Sequence, residues 1–426
     1  MKKSLTALFI FLNVFITSTQ FFAQWVELNS GVSVKLNSLS SIKELTTWTC
    51  GNNGTVIKSS NMGDNWSNGN QSGITSNITL DHIFCINENI VLTAGNDGST
   101  TYLYRTINAG ASWNIVKQQS GGKFNALHFI DQNTGILIGD PVGGRWSIWK
   151  TVNGGVNWDS TGCYLQQNGS EKGFANSLWA SGNNIWFGTD NFRIYNTNNY
   201  SMNWQIQSTG TEKNSATLWF DFDFNIGLSG NVNLLRTINN GNTWNVESLP
   251  GNGNVVSVSG SAHSRFNWAI RADNKIYLNP HNTNTWELDY TAPNGNYTYI
   301  TIERNGYFSG AVFALRDNGG ISRTYFLSLG INTISTNLPE KFKLYQNYPN
   351  PFNPVTKIRF EIPETGNVNL KVFDITGKEI EALVNSKLSH GVFEADFDAS
   401  MLNSGVYFYR LKTEKFTETK KMILVK

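Results

Sequence analysis

The chain has 426 residues, of which 39% are hydrophobic and only 15% charged, with 14 Trp, 15 Tyr and 26 Phe. That length allows more than one domain, and aromatics broken up by Gly and Asn favour short strands joined by tight turns. The formal net charge of +2 is matched by Lys2 and Lys3 alone, so no basic stripe remains to support a nucleic-acid footprint.

Residues 1–23 have the three parts of a secretory signal peptide: a charged start at Lys2 and Lys3, an apolar stretch from Leu5 to Ile16, and a small residue, Ala23, before Gln24. Phe21 departs from the small residue preferred two positions before Ala23, and a buried N-terminal helix is the plainer alternative. The apolar stretch is short for a membrane span. Cys50, Cys85 and Cys163 make no zinc spacing and no disulfide framework; a Cys50–Cys85 bridge and three inert buried thiols are both open. No metal site and no cofactor are expected.

Seven Trp fall in one column: Trp25, Trp66, Trp113, Trp158, Trp204, Trp244 and Trp286, spaced by 41, 47, 45, 46, 40 and 42 residues. Four are preceded by the same pattern, Ser/Thr-x-Asn-x-Gly-x-x-Trp. The copies are Ser59, Asn61, Gly63 and Trp66; Thr106, Asn108, Gly110 and Trp113; Thr151, Asn153, Gly155 and Trp158; and Thr237, Asn239, Gly241 and Trp244. Degenerate copies, with Ser201 or Thr283 in place of Gly, end at Trp204 and Trp286. The pattern predicts a strand end, an Asn-bonded turn with Gly at positive φ, and a returning strand that starts on a packed indole. Around Trp158 the rest of a unit reads as strands at Phe124–Phe129, Ile136–Ile138 and Ser147–Thr151, with Trp158 opening a fourth. Four strands in about 45 residues match a propeller blade.

The pattern resembles the Asp box, or BNR repeat, of sialidase-like propellers. Cys50-Gly51-Asn52-Asn53-Gly54-Thr55-Val56-Ile57 and Gly139-Asp140-Pro141-Val142-Gly143-Gly144-Arg145 are similar to propellers of the photosystem II stability/assembly-factor-like family. The resemblance implies an all-β, seven-bladed β-propeller over residues 24–330. Strands at Tyr297–Ile302, Gly310–Leu315 and Ile321–Phe326 have no box, and Trp25 has none before it, so the N-terminal strand is expected to complete the last blade. Six blades, with that strand packed elsewhere, is the alternative.

Loops between second and third strands gather on the rim expected to face a ligand. They hold Asp97, Asp140, Asp190, Asp273 and Asp317, with Arg145, Trp146 and Arg271. Such a ring suits a glycan or a peptide. Every one of these Asp also sits beside Gly or Asn, as turn chemistry alone produces. A sialidase would need an arginine cluster and an activated Tyr, yet the first Arg after the leader is Arg105 and no early Arg-Ile-Pro-like motif is present. A xyloglucanase-like hydrolase would need two facing carboxylates. Asp221 and Asp223 alternate at a strand end, on the opposite rim.

Residues 339–426 carry 24 charged side chains, more than twice the density of the chain before them, and the polar stretch 331–338 reads as a linker. The tail opens Tyr345-Gln346-Asn347-Tyr348 and continues through Pro349, Asn350, Pro351, Phe352, Asn353 and Pro354. Asp374-Ile375-Thr376-Gly377, Gly405-Val406-Tyr407 and a basic end at Lys420 and Lys421 follow. Ile358, Phe360 and Ile362, like Val368, Leu370 and Val372, alternate with polar residues, which predicts a small antiparallel β-sandwich. These motifs closely resemble the type A sorting domain of type IX secretion cargo. The resemblance implies a Bacteroidota-type bacterium, export across the outer membrane with the type IX machinery as partner, and a secreted or outer-membrane-attached product; the signal peptide implies Sec-type export before it. The expected function is a non-catalytic extracellular binding or scaffold protein for an unidentified glycan or protein. The alternative is a glycoside hydrolase using the loop-ring carboxylates.

Overall fold

The computed structural model describes residues 24–42, 46–200, 203–210, 214–221, 225–261, 266–280, 283, 285–304, 309–327, 331–335, 339–388, 390–399 and 402–426. The leader, Ser201 and Asp223 lie outside the described residues. Every regular element among them is a strand.

β1 (Val26–Leu28) comes first. Each following sheet is an antiparallel meander. The first is β2 (Leu36–Ile42), β3 (Thr46–Gly51), β4 (Val56–Ser59) and β5 (Ser67–Asn68); the second is β6 (Thr79–Cys85), β7 (Val91–Asn96), β8 (Thr100–Thr106) and β9 (Asn114–Ser120). The third has β10 (Phe124–Phe129), β11 (Gly135–Val142) and β12 (Arg145–Thr151). The fourth is β13 (Gly173–Ser181), β14 (Asn184–Thr189), β15 (Arg193–Thr197) and β16 (Gln205–Ser208); the fifth is β17 (Thr217–Asp221), β18 (Ile226–Gly230), β19 (Leu234–Thr237) and β20 (Asn245–Glu247). The sixth is β21 (Val255–Ser261), β22 (Phe266–Arg271), β23 (Lys275–Asn279) and β24 (Glu287–Thr291). The seventh is β25 (Tyr297–Arg304), β26 (Ser309–Arg316) and β27 (Ile321–Leu327), with β1 as its fourth strand.

The first strands β2, β6, β10, β13, β17, β21 and β25 each lie against the next, and β25 lies against β2, which closes a ring. Core side chains sit between neighbouring sheets: Trp48, Cys50 and Val56 of the first pack on Leu80, Ile83 and Trp113 from the second. Both faces of a middle strand are therefore covered. Residues 135–140 at the start of β11 are all buried, without alternation.

The third sheet departs from the expected blade. Trp158 does not open a continuous fourth strand; only the bridges Lys150–Asp159 and Arg145–Gln166 form. Asp159 makes its own turn by accepting the Thr161 amide at 3.0 Å, and this lifts the chain off the edge between the two bridges.

The repeated turn is the same in all four intact copies. The Thr151 hydroxyl accepts the Gly155 amide at 3.0 Å and donates to Asn153 Oδ1 at 3.0 Å; Asn153 Oδ1 also accepts the Asn157 amide at 3.0 Å. Ser59, Thr106 and Thr237 accept Gly63, Gly110 and Gly241 at 2.8, 3.0 and 2.9 Å. The glycine has φ between 80° and 89°, and the residue before it (Met62, Ala109, Gly154 or Asn240) is left-handed too. One hydroxyl and one amide thus satisfy a turn that the backbone alone would leave open.

β1 is clasped from both sides. It pairs antiparallel with β27, Val26 opposite Arg323 and Leu28 opposite Ile321. Trp25 Nε1 donates to Asp289 at 2.8 Å, Ser322 donates to Glu27 at 2.6 Å, and Arg316 forms an ion pair with Glu27.

The tail is a sandwich of two four-stranded sheets. One has the order β28 (Ile331–Ser335), β33 (Gly391–Asp398), β30 (Val355–Ile362) and β29 (Lys343–Leu344); the other is β32 (Glu379–Leu388), β31 (Gly366–Phe373), β34 (Gly405–Lys412) and β35 (Thr417–Leu424). Ile358, Phe360, Ile362, Val368, Leu370 and Val372 all face its core. The linker expected at 331–338 needs correction: its first five residues are β28, an edge strand paired with β33.

Candidate functional site

In each meander the first strand starts, and the second ends, at one rim of the ring. The Asp140 amide donates to Lys123 O at 2.8 Å, Asp190 to Lys172 O at 3.0 Å, and Asp317 to Asn296 O at 3.0 Å. The Ser/Thr-Asn turns join third and fourth strands at the opposite rim, where buried Asp221 also ends β17.

The expected loop-ring residues all lie at the first rim, but they are engaged one by one with their own surroundings. Asp97 accepts the Thr100 and Ser99 amides at 2.8 and 2.9 Å and the Tyr102 hydroxyl at 2.9 Å. These bonds hold its carboxyl well below the usual carboxylate range. Asp190 accepts the Lys172 amide at 2.7 Å, Asp273 that of Lys275 at 2.9 Å, and Asp317 that of Asn296 at 2.9 Å. Arg145 is exposed and opens β12.

Three of the eight residues are buried, Asp140, Trp146 and Arg271. Trp146 is 1% exposed, packs against Phe187 and Tyr195, and donates to Glu171 at 3.2 Å. It fills core because β12 lies between two sheets. Arg271 is buried; each of its three guanidinium nitrogens donates to a main-chain carbonyl, those of Pro250, Leu249 and Gly253.

Asp140 belongs to a repeated device. The first strands of the first three sheets each carry a one-residue bulge, at Asn37, Asp81 and Asn125. Each bulge side chain bonds the side chain fifteen residues on: Asn37 to Asn52 at 3.1 Å, Asn96 to Asp81 at 2.8 Å, and Asn125 to Asp140 at 2.8 Å. The Gly173 amide gives Asp140 a second bond at 2.9 Å. Burial pushes the carboxyls of Asp81 and Asp140 up, while Lys123 pulls both down. Asp140 adds to the rise at Asp81, so this pair comes nearest to two coupled acids.

Below them, β13 carries a larger bulge, with Phe174 to Ser177 standing opposite Gly188. Asn176, at φ 63°, reaches across to the first and second sheets. Its Nδ2 donates to Asn37 O at 3.0 Å and Asp81 O at 3.1 Å, and its Oδ1 meets His82 Nδ1 at 2.6 Å. With the amide fixed by two carbonyls, His82 must present Nδ1–H. Burial lowers the His82 pKa, and burial with the His82 charge pushes His128 down to about 4.

Glu171, which no motif announces, is a buried carboxylate held by Tyr195 at 2.7 Å, Trp146, the Asn168 amide at 2.9 Å and Arg193 at 3.5 Å. Burial and the bond to Glu171 push the Tyr195 phenol up to about 12, the wrong direction for a nucleophile. Among the described residues, no three His, Cys, Asp or Glu gather as a metal site, and Cys50, Cys85 and Cys163 are buried.

In the tail, Phe352 is buried and pairs its main chain with Ile423 and Val425, while Asn350 accepts the Ile423 amide at 2.9 Å. Pro354 O accepts the Ala399 amide at 2.9 Å, and Tyr407 donates to Asn403 O at 2.8 Å. Asn353 is exposed, Gly377 turns at φ 81°, and Gly405 opens β34. The proline-rich opening is thus docked against the last strand.

Residues 346–426 match the protein family described as "Secretion system C-terminal sorting domain". No curated protein matches the chain. Among solved structures, the chain is similar to YCF48 from Cyanidioschyzon merolae, at 16% identity and a TM-score of 0.55, over 71% of this chain and 98% of that one. It is also similar to YCF48 bound to D1 peptide, at 13% identity and a TM-score of 0.57, over 71% and 96%. The fold is therefore all-β with a propeller. The sorting domain makes this a type IX export product, secreted or held at the cell surface, with the type IX machinery as its partner.

Proposed function

We propose that residues 24–327 form a seven-bladed propeller of Asp-box repeats that works outside the cell as a non-catalytic binding or scaffold module. A sorting unit beginning at β28 delivers it, after Sec-type removal of residues 1–23. The observation that carries this reading is the employment of the rim carboxylates. Asp97, Asp190, Asp273 and Asp317 each hold a main-chain amide. Asp81 and Asp140 occupy positions where sister sheets have Asn, at Asn37 and Asn125 or at Asn52 and Asn96. At these positions the side chain holds the bulge, a role that an amide fills as well as a carboxyl. The ligand class is a glycan or a peptide; YCF48, to which the chain is similar in fold, has been solved bound to D1 peptide.

The test is a panel of soluble polysaccharides and oligosaccharides run against the mature chain, reading retention and sugar release together. Retention without release supports the binding module. Release that disappears in Asp81→Asn or Asp140→Asn would replace it with a hydrolase. If neither occurs, the ligand is a protein at the cell surface, and capture of surface proteins becomes the assay.

A further inference from the structure

The fourth sheet presents a groove of about 430 Å³ at the first rim, lined by Asn168, Asn191, Phe192, Arg193, Ile206 and Ser208. That volume lies in the range of sites for small ligands. Phe192 forms its wall at the tip of the β14–β15 hairpin, 39% exposed, with φ 56°. An aromatic side chain in the left-handed region is strained, and such strain persists only where the surroundings enforce it. Here they do. The Thr209 amide donates to Phe192 O at 3.0 Å, Thr189 Oγ1 accepts the Asn191 amide at 3.2 Å, and the same hydroxyl donates to Arg193 O at 3.0 Å. A rigid turn therefore holds a ring out toward solvent at a cost in backbone energy.

The chemistry around that ring is uncharged. Asn191 uses its Nδ2 on Asn168 O at 3.3 Å, leaving Oδ1 to accept. Ser208 Oγ accepts the Gly210 amide at 3.2 Å and keeps its proton to donate. The one cation, Arg193, is answered by Glu171, whose side chain is fully buried. At the turn, Arg193 Nε donates to Asn191 O at 3.2 Å and the Thr209 amide to Phe192 O, so these two carbonyls are already taken. We propose that this groove is a subsite for a neutral polysaccharide, one sugar ring stacking its C–H face on Phe192 while its hydroxyls bond Asn191 and Ser208. The proposal rests on the binding-module reading and names the ligand class for it.

The experiment uses the full mature chain, with affinity electrophoresis in hydroxyethylcellulose, xylan and mannan, and polygalacturonate as the acidic comparator. Phe192→Gly removes the ring and relaxes the backbone, because glycine adopts this φ without strain. The variant should melt no lower than wild type and lose about tenfold or more in affinity for the retained neutral polymer, whereas Phe192→Trp should keep it. Wild-type retention left unchanged by Phe192→Gly overturns the groove while sparing the binding module. Retention on polygalacturonate alone, or on no polymer, overturns the neutral-sugar assignment and leaves a protein-binding module standing. Sugar release by the wild type would instead defeat the non-catalytic reading, whatever the groove does.

Discussion

Replacing Trp25 with Ala tests whether the first strand holds the ring shut. β1 is only three residues long, so most of its attachment comes from side chains. Trp25 is 7% exposed, stacks on Tyr290 at 5.7 Å, packs in the cluster of Trp268, Ile276 and Tyr297, and donates to Asp289 at 2.8 Å. Truncating a buried Trp costs about 3–5 kcal/mol, and the lost bond to a carboxylate adds roughly 1.5 kcal/mol. For a unit of about 300 residues, that total corresponds to a melting point lower by roughly 7–10 °C. Calorimetry of the mature chain would read the shift, and limited proteolysis with N-terminal sequencing would read which segment is released. Trp113→Ala is the control: it deletes the same column inside the ring, where Trp113 Nε1 bonds Gly69 O at 2.9 Å. It should cost a similar amount without selective cleavage near residue 30. A Trp25→Ala melt within about 1 °C of wild type, or cleavage no different from Trp113→Ala, would refute the clasp.

Thr151→Val keeps the shape of the turn but strands the buried Gly155 amide, and should cost about 1–3 kcal/mol in urea unfolding; an unchanged midpoint would show the hydroxyl to be dispensable. Because burial raises the carboxyl pKa of Asp81 and Asp140, their favourable contribution is full below the ordinary carboxylate range and is lost as pH rises through the raised values. The double variant Asp81→Asn/Asp140→Asn should therefore match or exceed wild type in stability at pH 7, with the difference shrinking in acid; a variant that loses more at pH 7 than in acid contradicts this sign. The three thiols should resist a water-soluble thiol reagent in the native chain and react together on unfolding, since burial pushes Cys50 far up and all three are enclosed. A native-state disulfide in mass spectrometry would contradict that.

Local and repeated features were readable before any coordinates. The Ser/Thr-Asn turn bonds within seven residues, so its chemistry is visible in a short window, and four copies repeat it. The strands of the tail could be read from alternation because each of its sheets has one solvent face. What escaped depends on distant partners. β28 pairs with β33, some sixty residues later, and its polar residues read as a linker. Trp146 and Arg271 looked available because turns flank them, yet strands covered on both faces turn such side chains inward. Glu171 and Asn176 carry no signal of their own; each takes its role from residues brought from other sheets.

Asn176 also alters the mechanics of the ring. A hoop of sheets held only by contacts between neighbours can distort into an ellipse at little cost, because each joint yields slightly. A single amide spanning from the fourth sheet to the first and second acts as a spoke. Flattening the hoop along that diameter would have to break two bonds to main-chain carbonyls and one to an imidazole. The half of the circle holding the first four sheets is thereby braced.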